Sequence, residues 1–141
     1  MIKLNNKGQS LFLFVIFIPI FIILGAFVID IGIAKIEENK LNDISILSLN
    51  YGLNHINENP YDKMLDLINK NDSKIDKYNV DIDLENKKID IKLEKNVNGF
   101  FGRIIGKDKY NVLSNFTGYI ESDGNKKIER VLSKWKKMLL K

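Results

Sequence analysis

Nineteen consecutive uncharged residues, Leu11 to Ile29 (LFLFVIFIPIFIILGAFVI), constrain this chain more than any other feature. At a helical rise of about 1.5 Å per residue they cover roughly 28 Å, close to the hydrocarbon thickness of a bilayer. Asp30 closes the run, apolar character resumes at Ile31 to Ala34, and Lys35 is the first cation beyond it. This pattern predicts a transmembrane helix over residues 11–34. Residues 1–10 are polar and carry Lys3 and Lys7 with no acid, so the positive-inside tendency places this end in the cytoplasm and the remainder outside. Pro19 removes one helical hydrogen bond and crowds the carbonyl of Val15, and a kink is expected there.

With 141 residues in all, the sequence beyond the anchor is long enough for one small domain. The formal charge is +4, but the last sixteen residues hold seven Lys or Arg against Glu129, which leaves the rest of the chain slightly acidic. Basicity confined to one tail gives no reason to invoke nucleic acid as a partner. The absence of cysteine excludes disulfides and thiolate metal sites.

Beyond the anchor, Ile29, Ile33, Ile36, Ile44, Leu47 and Tyr51 recur at helical spacing. They predict that the helix continues as an amphipathic stem, with stem and linker filling residues 35–60. Gly52, Asn54 and Asn59-Pro60 are stop signals, and a second short helix is predicted over Tyr61 to Asn69. From Tyr78 the period changes to two. Val80, Ile82 and Leu84, then Ile89, Ile91 and Leu93, alternate with charged residues and read as a β-hairpin. A tip at Asn86-Lys87, or a four-residue loop over 85–88, pairs Leu84 with Ile89, Ile82 with Ile91 and Val80 with Leu93. The glycine-punctuated apolar segment Gly99 to Gly106 is expected to form a short helix or loop over the hairpin's open face. A long strand within Tyr110 to Glu121, a turn over Ser122 to Asn125 and a shorter strand over Lys127 to Val131 complete three or four antiparallel strands. The fold class is therefore α+β: a transmembrane helix extended as a stem, then a small antiparallel head over residues 61–132 with short helices. A basic tail over residues 133–141 carries Trp135 among lysines, and either lies on an anionic surface or is a solvated terminus.

Residues that could carry chemistry are sparse. His55 is the only histidine and sits among asparagines, where a solvated side chain is the expectation. No serine stands in a nucleophile-elbow or phosphate-loop context, so a non-enzymatic protein without catalytic, cofactor-binding or metal-binding residues is expected. The derived hairpin register sets Asp83 opposite Asp90, a solvated pair or a site for a hard cation such as Ca²⁺. Asp30 either marks where water begins or pairs with a cation or helix N-terminus on a neighbouring subunit, with Gly25 and Gly32 on one face allowing close helix approach.

Residues 7–34 resemble the N-terminal signature of TadE/TadG-like proteins of tight-adherence (Flp-type) pilus systems. The resemblance rests on Lys7-Gly8, an apolar span with a proline at Pro19, and the closing Ile29-Asp30-Ile31-Gly32. Leu13 stands where prepilin-like members carry a glutamate five residues after the glycine. The resemblance implies a minor pilin or pseudopilin-like membrane component. Its partners would be the lipid bilayer, other pilus-assembly subunits or inner-membrane platform proteins, and a prepilin peptidase if the chain is processed between Gly8 and Gln9. It also makes Pro19, Gly25, Asp30 and Gly32 the anchor and assembly positions. Two rivals stand beside it: a membrane-tethered adaptor unrelated to pili, and a secreted binding module released by cleavage after Ala34.

Overall fold

The computed structural model describes residues 6–132 and Leu139, with side chains described from Gly8. One helix, α1 (Asn6–Asn54), runs continuously through Pro19 and on into the stem. It is long and apolar enough to cross a membrane. Its first half is bare: from Leu11 to Leu24 every large apolar side chain is exposed. Its second half is built into the head. A single 3-10 turn (Ile56–Glu58) leads to α2 (Tyr61–Asn71). Four strands follow, β1 (Lys77–Asp83), β2 (Lys88–Asn98), β3 (Lys109–Ile120) and β4 (Lys126–Arg130). They form an antiparallel meander in the order β1-β2-β3-β4. The α+β class and the boundaries of α2, β3 and β4 agree with the sequence to within two residues.

The head is two layers, the stem and α2 on one face of the sheet. Leu41, Ile44, Leu49 and Leu53 of α1 meet Met64 and Ile68 of α2 and Val80, Ile89, Ile91, Leu93, Val112 and Phe116 of the sheet. Each fully buried aliphatic side chain of this kind contributes about 1.5–3 kcal/mol. Small residues line the approach of helix to sheet. A Cβ on Gly52 would lie 2.5 Å from Met64 Sδ and 2.7 Å from Ile89 Cδ1, and one on Gly118 would lie 2.9 Å from Leu53 Cδ1. Between them the buried hydroxyls of Ser45 and Ser114 hydrogen-bond at 2.8 Å, so the two layers touch through polar as well as apolar atoms.

Three expectations are corrected. The buried stripe of the stem is not the series running from Ile29 to Tyr51, because Ile29, Ile36 and Leu47 are exposed. The stripe instead runs through Ala26, Asp30, Leu41, Ile44, Ser45, Ser48, Leu49, Gly52 and Leu53, where small and polar residues let the sheet approach. The hairpin register is displaced by two residues: Val80 pairs with Ile91, Ile82 with Ile89, and Asp81 faces Asp90, while Asp83 faces Lys88. The turn sets this. The Asp83 carboxylate accepts hydrogen bonds from the Asn86 backbone N–H at 3.0 Å and its side-chain amide at 2.7 Å, and Lys87 takes a left-handed φ of 48°. Turn residues Leu84 to Lys87 therefore lie outside the ladder, leaving Leu84 exposed. Finally, Gly99 to Gly106 does not cover the hairpin, because α1 and α2 already occupy that face.

A buried ion cluster joins stem, α2 and sheet. Lys95 Nζ lies 2.7 Å from Asp72 and 2.6 Å from Glu37, with Lys40 3.7 Å from Asp72. Burial alone would raise the Asp72 carboxyl, but the Lys95 hydrogen bond, the Lys74 backbone N–H and the charges of Lys95 and Lys40 outweigh it and hold it below its ordinary value. Burial likewise opposes the charge on Lys95, and its two carboxylate partners raise it above the ordinary lysine value.

This architecture makes three predictions. Replacing Asp83 with Ala should lower the melting temperature of the head by removing the turn's acceptor. Asp81→Lys should stabilise it by a few tenths of a kcal/mol, by relieving the like-charge pair with Asp90. The register derived from alternation alone expects Asp83, not Asp81, to be the position where removing charge helps, so thermal melts of the two variants separate the registers. Asp72, with its carboxyl depressed, contributes stability that is complete above about pH 4 and is lost as pH falls through the depressed value. The acid limb of a stability-against-pH curve should accordingly be shallower for Asp72→Asn than for the unaltered chain. At neutral pH, Lys95→Met should cost about 3 kcal/mol, because it leaves two carboxylates facing an apolar chain.

Candidate functional site at the junction of helix and loop

The connection between β2 and β3, residues 99–108, reaches back along α1 to the end of its apolar half. Its base is closed by Gly99 N–H to the Asp108 carbonyl at 2.8 Å and Lys107 N–H to the Gly102 carbonyl at 2.8 Å. Gly102–Ile105 forms one 3-10 turn, ended by Gly106 at a φ of 78°. The first N–H groups of such a turn have no partner within it and need an external acceptor. Asp30 is that acceptor. Its Oδ1 takes the Phe100 N–H at 2.8 Å, its Oδ2 takes the Gly102 N–H at 2.6 Å, and the Phe101 N–H lies 3.3 and 3.1 Å from the two oxygens. The residue is 1 % exposed.

Glycine makes the approach possible. A Cβ on Gly99 would sit 2.7 Å from Asp30 Oδ2, and one on Gly102 would sit 1.9 Å from the Lys107 carbonyl oxygen, a backbone atom that cannot turn aside. Tyr110, at the start of β3, stands over the same place. Burial and the negative charge of Asp30 raise its hydroxyl above the ordinary value. Below the carboxylate, Phe101, Gly102, Ile104 and Ile105 enclose a small hollow with Ile23, Ala26 and Phe27 of α1. Above it, Lys35, Lys107, Lys109 and Tyr110 line an open groove of about 450 Å³. Lys107 Nζ lies 4.9 Å over the Tyr110 ring, and Lys35 pairs with Glu38 at 3.1 Å.

The residues singled out from sequence are thus divided. Asp30 binds a short helical turn, as one reading of the sequence had it, but the turn belongs to its own chain. Gly25 and Gly32 lie within about 20° of each other around the helix and roughly opposite Asp30, at 100° per residue. A Cβ on either would meet nothing within 4 Å, so this side of α1 is open. Pro19, Gly8 and Gln9 are exposed on α1. His55 is half-buried at the end of α1, its Nδ1 3.0 Å from the Tyr51 carbonyl oxygen and its ring stacked on Tyr51 at 4.3 Å, a capping position rather than a solvated one. Asp90, which sequence set against Asp83, instead meets Lys88 at 3.0 Å and accepts from the Thr117 hydroxyl. Among the described residues no group of three or more His, Asp or Glu is placed to hold a metal ion. The basic tail with Trp135 lies outside the described residues apart from Leu139.

The partnership of Asp30 with Phe100 to Gly102 was not legible in the sequence. The signal available was an acid closing an apolar helix together with a second apolar segment rich in glycine, 70 residues away. No family model, curated protein or solved structure matches this chain.

Asp30→Ala should leave three N–H groups without an acceptor and cost about 3 kcal/mol of local stability. The amides of Phe100, Phe101 and Gly102 are expected to exchange with solvent much faster in that variant, while those of β2 and β3 keep their protection. Hydrogen exchange on the detergent-solubilised chain reads both.

Proposed function

We propose that this chain is a single-pass, non-enzymatic component of a Tad/Flp-type pilus-assembly or secretion system, a minor pilin or pseudopilin-like protein with its head outside the cell membrane. The observation that carries the reading is the division of α1. One helix is bare and apolar over its first half, and over its second half supplies the core face of a four-stranded antiparallel head. A component of this kind can be held in a bilayer, or by neighbouring helices, without disturbing the head. The Lys7-Gly8, Pro19 and Asp30 signature supports the same reading. The partners it implies are the bilayer, other assembly subunits or platform proteins meeting the open Gly25/Gly32 side, and a prepilin peptidase if the chain is processed between Gly8 and Gln9.

The secreted-module reading fits less well. Cleavage after Ala34 would take Asp30 away from the three N–H groups it holds and remove Ala26 and Phe27 from the loop they pack against. Photocrosslinking from a probe at Gly25 or Gly32 in cells is expected to capture another subunit of the assembly. Protease added to wall-stripped cells should digest the chain beyond about Lys35. An N-terminus beginning at Lys35 in the mature protein, or a head protected until the membrane is opened, would refute the proposal.

A further inference from the structure

The β2–β3 loop displays large apolar side chains to the outside: Phe100 is 77 %, Ile104 71 % and Ile105 54 % exposed. Loop residues of a water-soluble surface are seldom this apolar, and a contiguous exposed apolar patch marks a place where something other than water sits. The patch is continuous with the bare half of α1, because Phe101, Ile104 and Ile105 lie against Ile23, Ala26 and Phe27. Phe27 and Ile23 precede Asp30 by about 4 and 10 Å along the helix axis at 1.5 Å per residue. Any bilayer whose hydrocarbon begins near Asp30 therefore surrounds the loop as well as the helix.

Resting on the reading that α1 crosses a membrane, we infer that the Gly99–Gly106 loop is a second membrane contact, whose Phe100, Ile104 and Ile105 enter the leaflet on the head's side. Irregular backbone enters hydrocarbon only if its polar groups are satisfied by protein. Here most of the loop's N–H groups meet that condition. The N–H groups of Phe100, Phe101 and Gly102 bond to Asp30, those of Ile104 and Gly106 to the carbonyls of Phe101 and Arg103, and those of Gly99 and Lys107 close the base. The bonds serve Asp30 equally, since a carboxylate at this depth is costly without donors. Lys107 and Lys109, neither in an ion pair among the described residues, line the groove above Asp30, where phosphate headgroups would lie. An apolar tip with a basic collar matches a phospholipid leaflet better than it matches a protein partner.

The test uses the full-length chain with its single tryptophan removed (Trp135→Phe), reconstituted in phosphatidylcholine/phosphatidylglycerol vesicles containing acyl-chain-brominated phosphatidylcholine. Reporter tryptophans are placed one at a time by Ile104→Trp, Phe100→Trp and Phe21→Trp. Phe100→Trp exchanges one exposed aromatic for another and serves if Ile104→Trp perturbs the turn. Blue-shifted emission and loss of fluorescence to bromine at the loop positions, comparable to the loss at Phe21→Trp, is the expected result. Quenching at Phe21→Trp with water-like, unquenched emission at both loop positions overturns the loop contact and leaves the anchor standing. Absence of quenching at all three overturns both. A loop reporter that is blue-shifted but unquenched, with concentration-dependent crosslinking between copies, assigns the patch to a second chain and also overturns the inference.

Discussion

Three peptide N–H groups converging on the carboxylate of Asp30 decide where this molecule's head meets the apolar half of its helix. Without them the acid is an expense on an apolar helix, and without the acid the Phe100 to Gly102 backbone has nowhere to place its donors. Each group makes the other tolerable, and the two lie more than seventy positions apart for the last of these bonds. The head is therefore attached to α1 twice, once through the packed face from Leu41 to Leu53 and once through this loop. Two attachments along one rigid helix define the orientation of the head relative to the apolar half, which a flexible linker would not do.

The sheet's packing extends the same logic. Ser45, Ser48 and Gly52 on the helix, with Ser114 and Gly118 on β3, keep the layers close, and the buried Lys95–Asp72–Glu37 cluster ties the start of the stem to α2 and β2. The Lys95 cluster requires that all three elements be in place at once. Its charge is satisfied only in the assembled head, where it favours one arrangement of these elements over others.

Much of this architecture was legible in the residues. The nineteen-residue apolar run, the change of period at Tyr78 and the glycine and asparagine punctuation point to the helices and to three or four antiparallel strands. Two kinds of information were not present in hydrophobic pattern. Alternation at period two is unchanged by a slip of two residues, so it placed Val80 and Ile82 on the correct face with the wrong partners. The register was decided by Asp83 and Asn86, whose mutual hydrogen bonds are a matter of turn chemistry. On the helix, hydrophobic periodicity points to large aliphatic residues as the buried stripe, whereas close packing against a sheet selects serine, glycine and alanine at several of the contact positions. The Asp30 junction was hidden for a different reason. Its partner atoms are backbone N–H groups, which every residue possesses and no sequence pattern marks.

The long span between contacting residues has a consequence for the order in which the chain matures. Ser45 waits for Ser114, 69 residues later, and the Leu49 and Leu53 side chains wait for Gly118 on the same strand. Chains are made from the N-terminus, so the apolar half of α1 is available first, while the stem's inner face stays uncovered until β3 has emerged. Pairings this distant along the sequence are slow to close. An early helix already held in a bilayer would shorten that search, because it fixes one end of the stem and leaves the sheet to condense on a stationary template rather than on a drifting one.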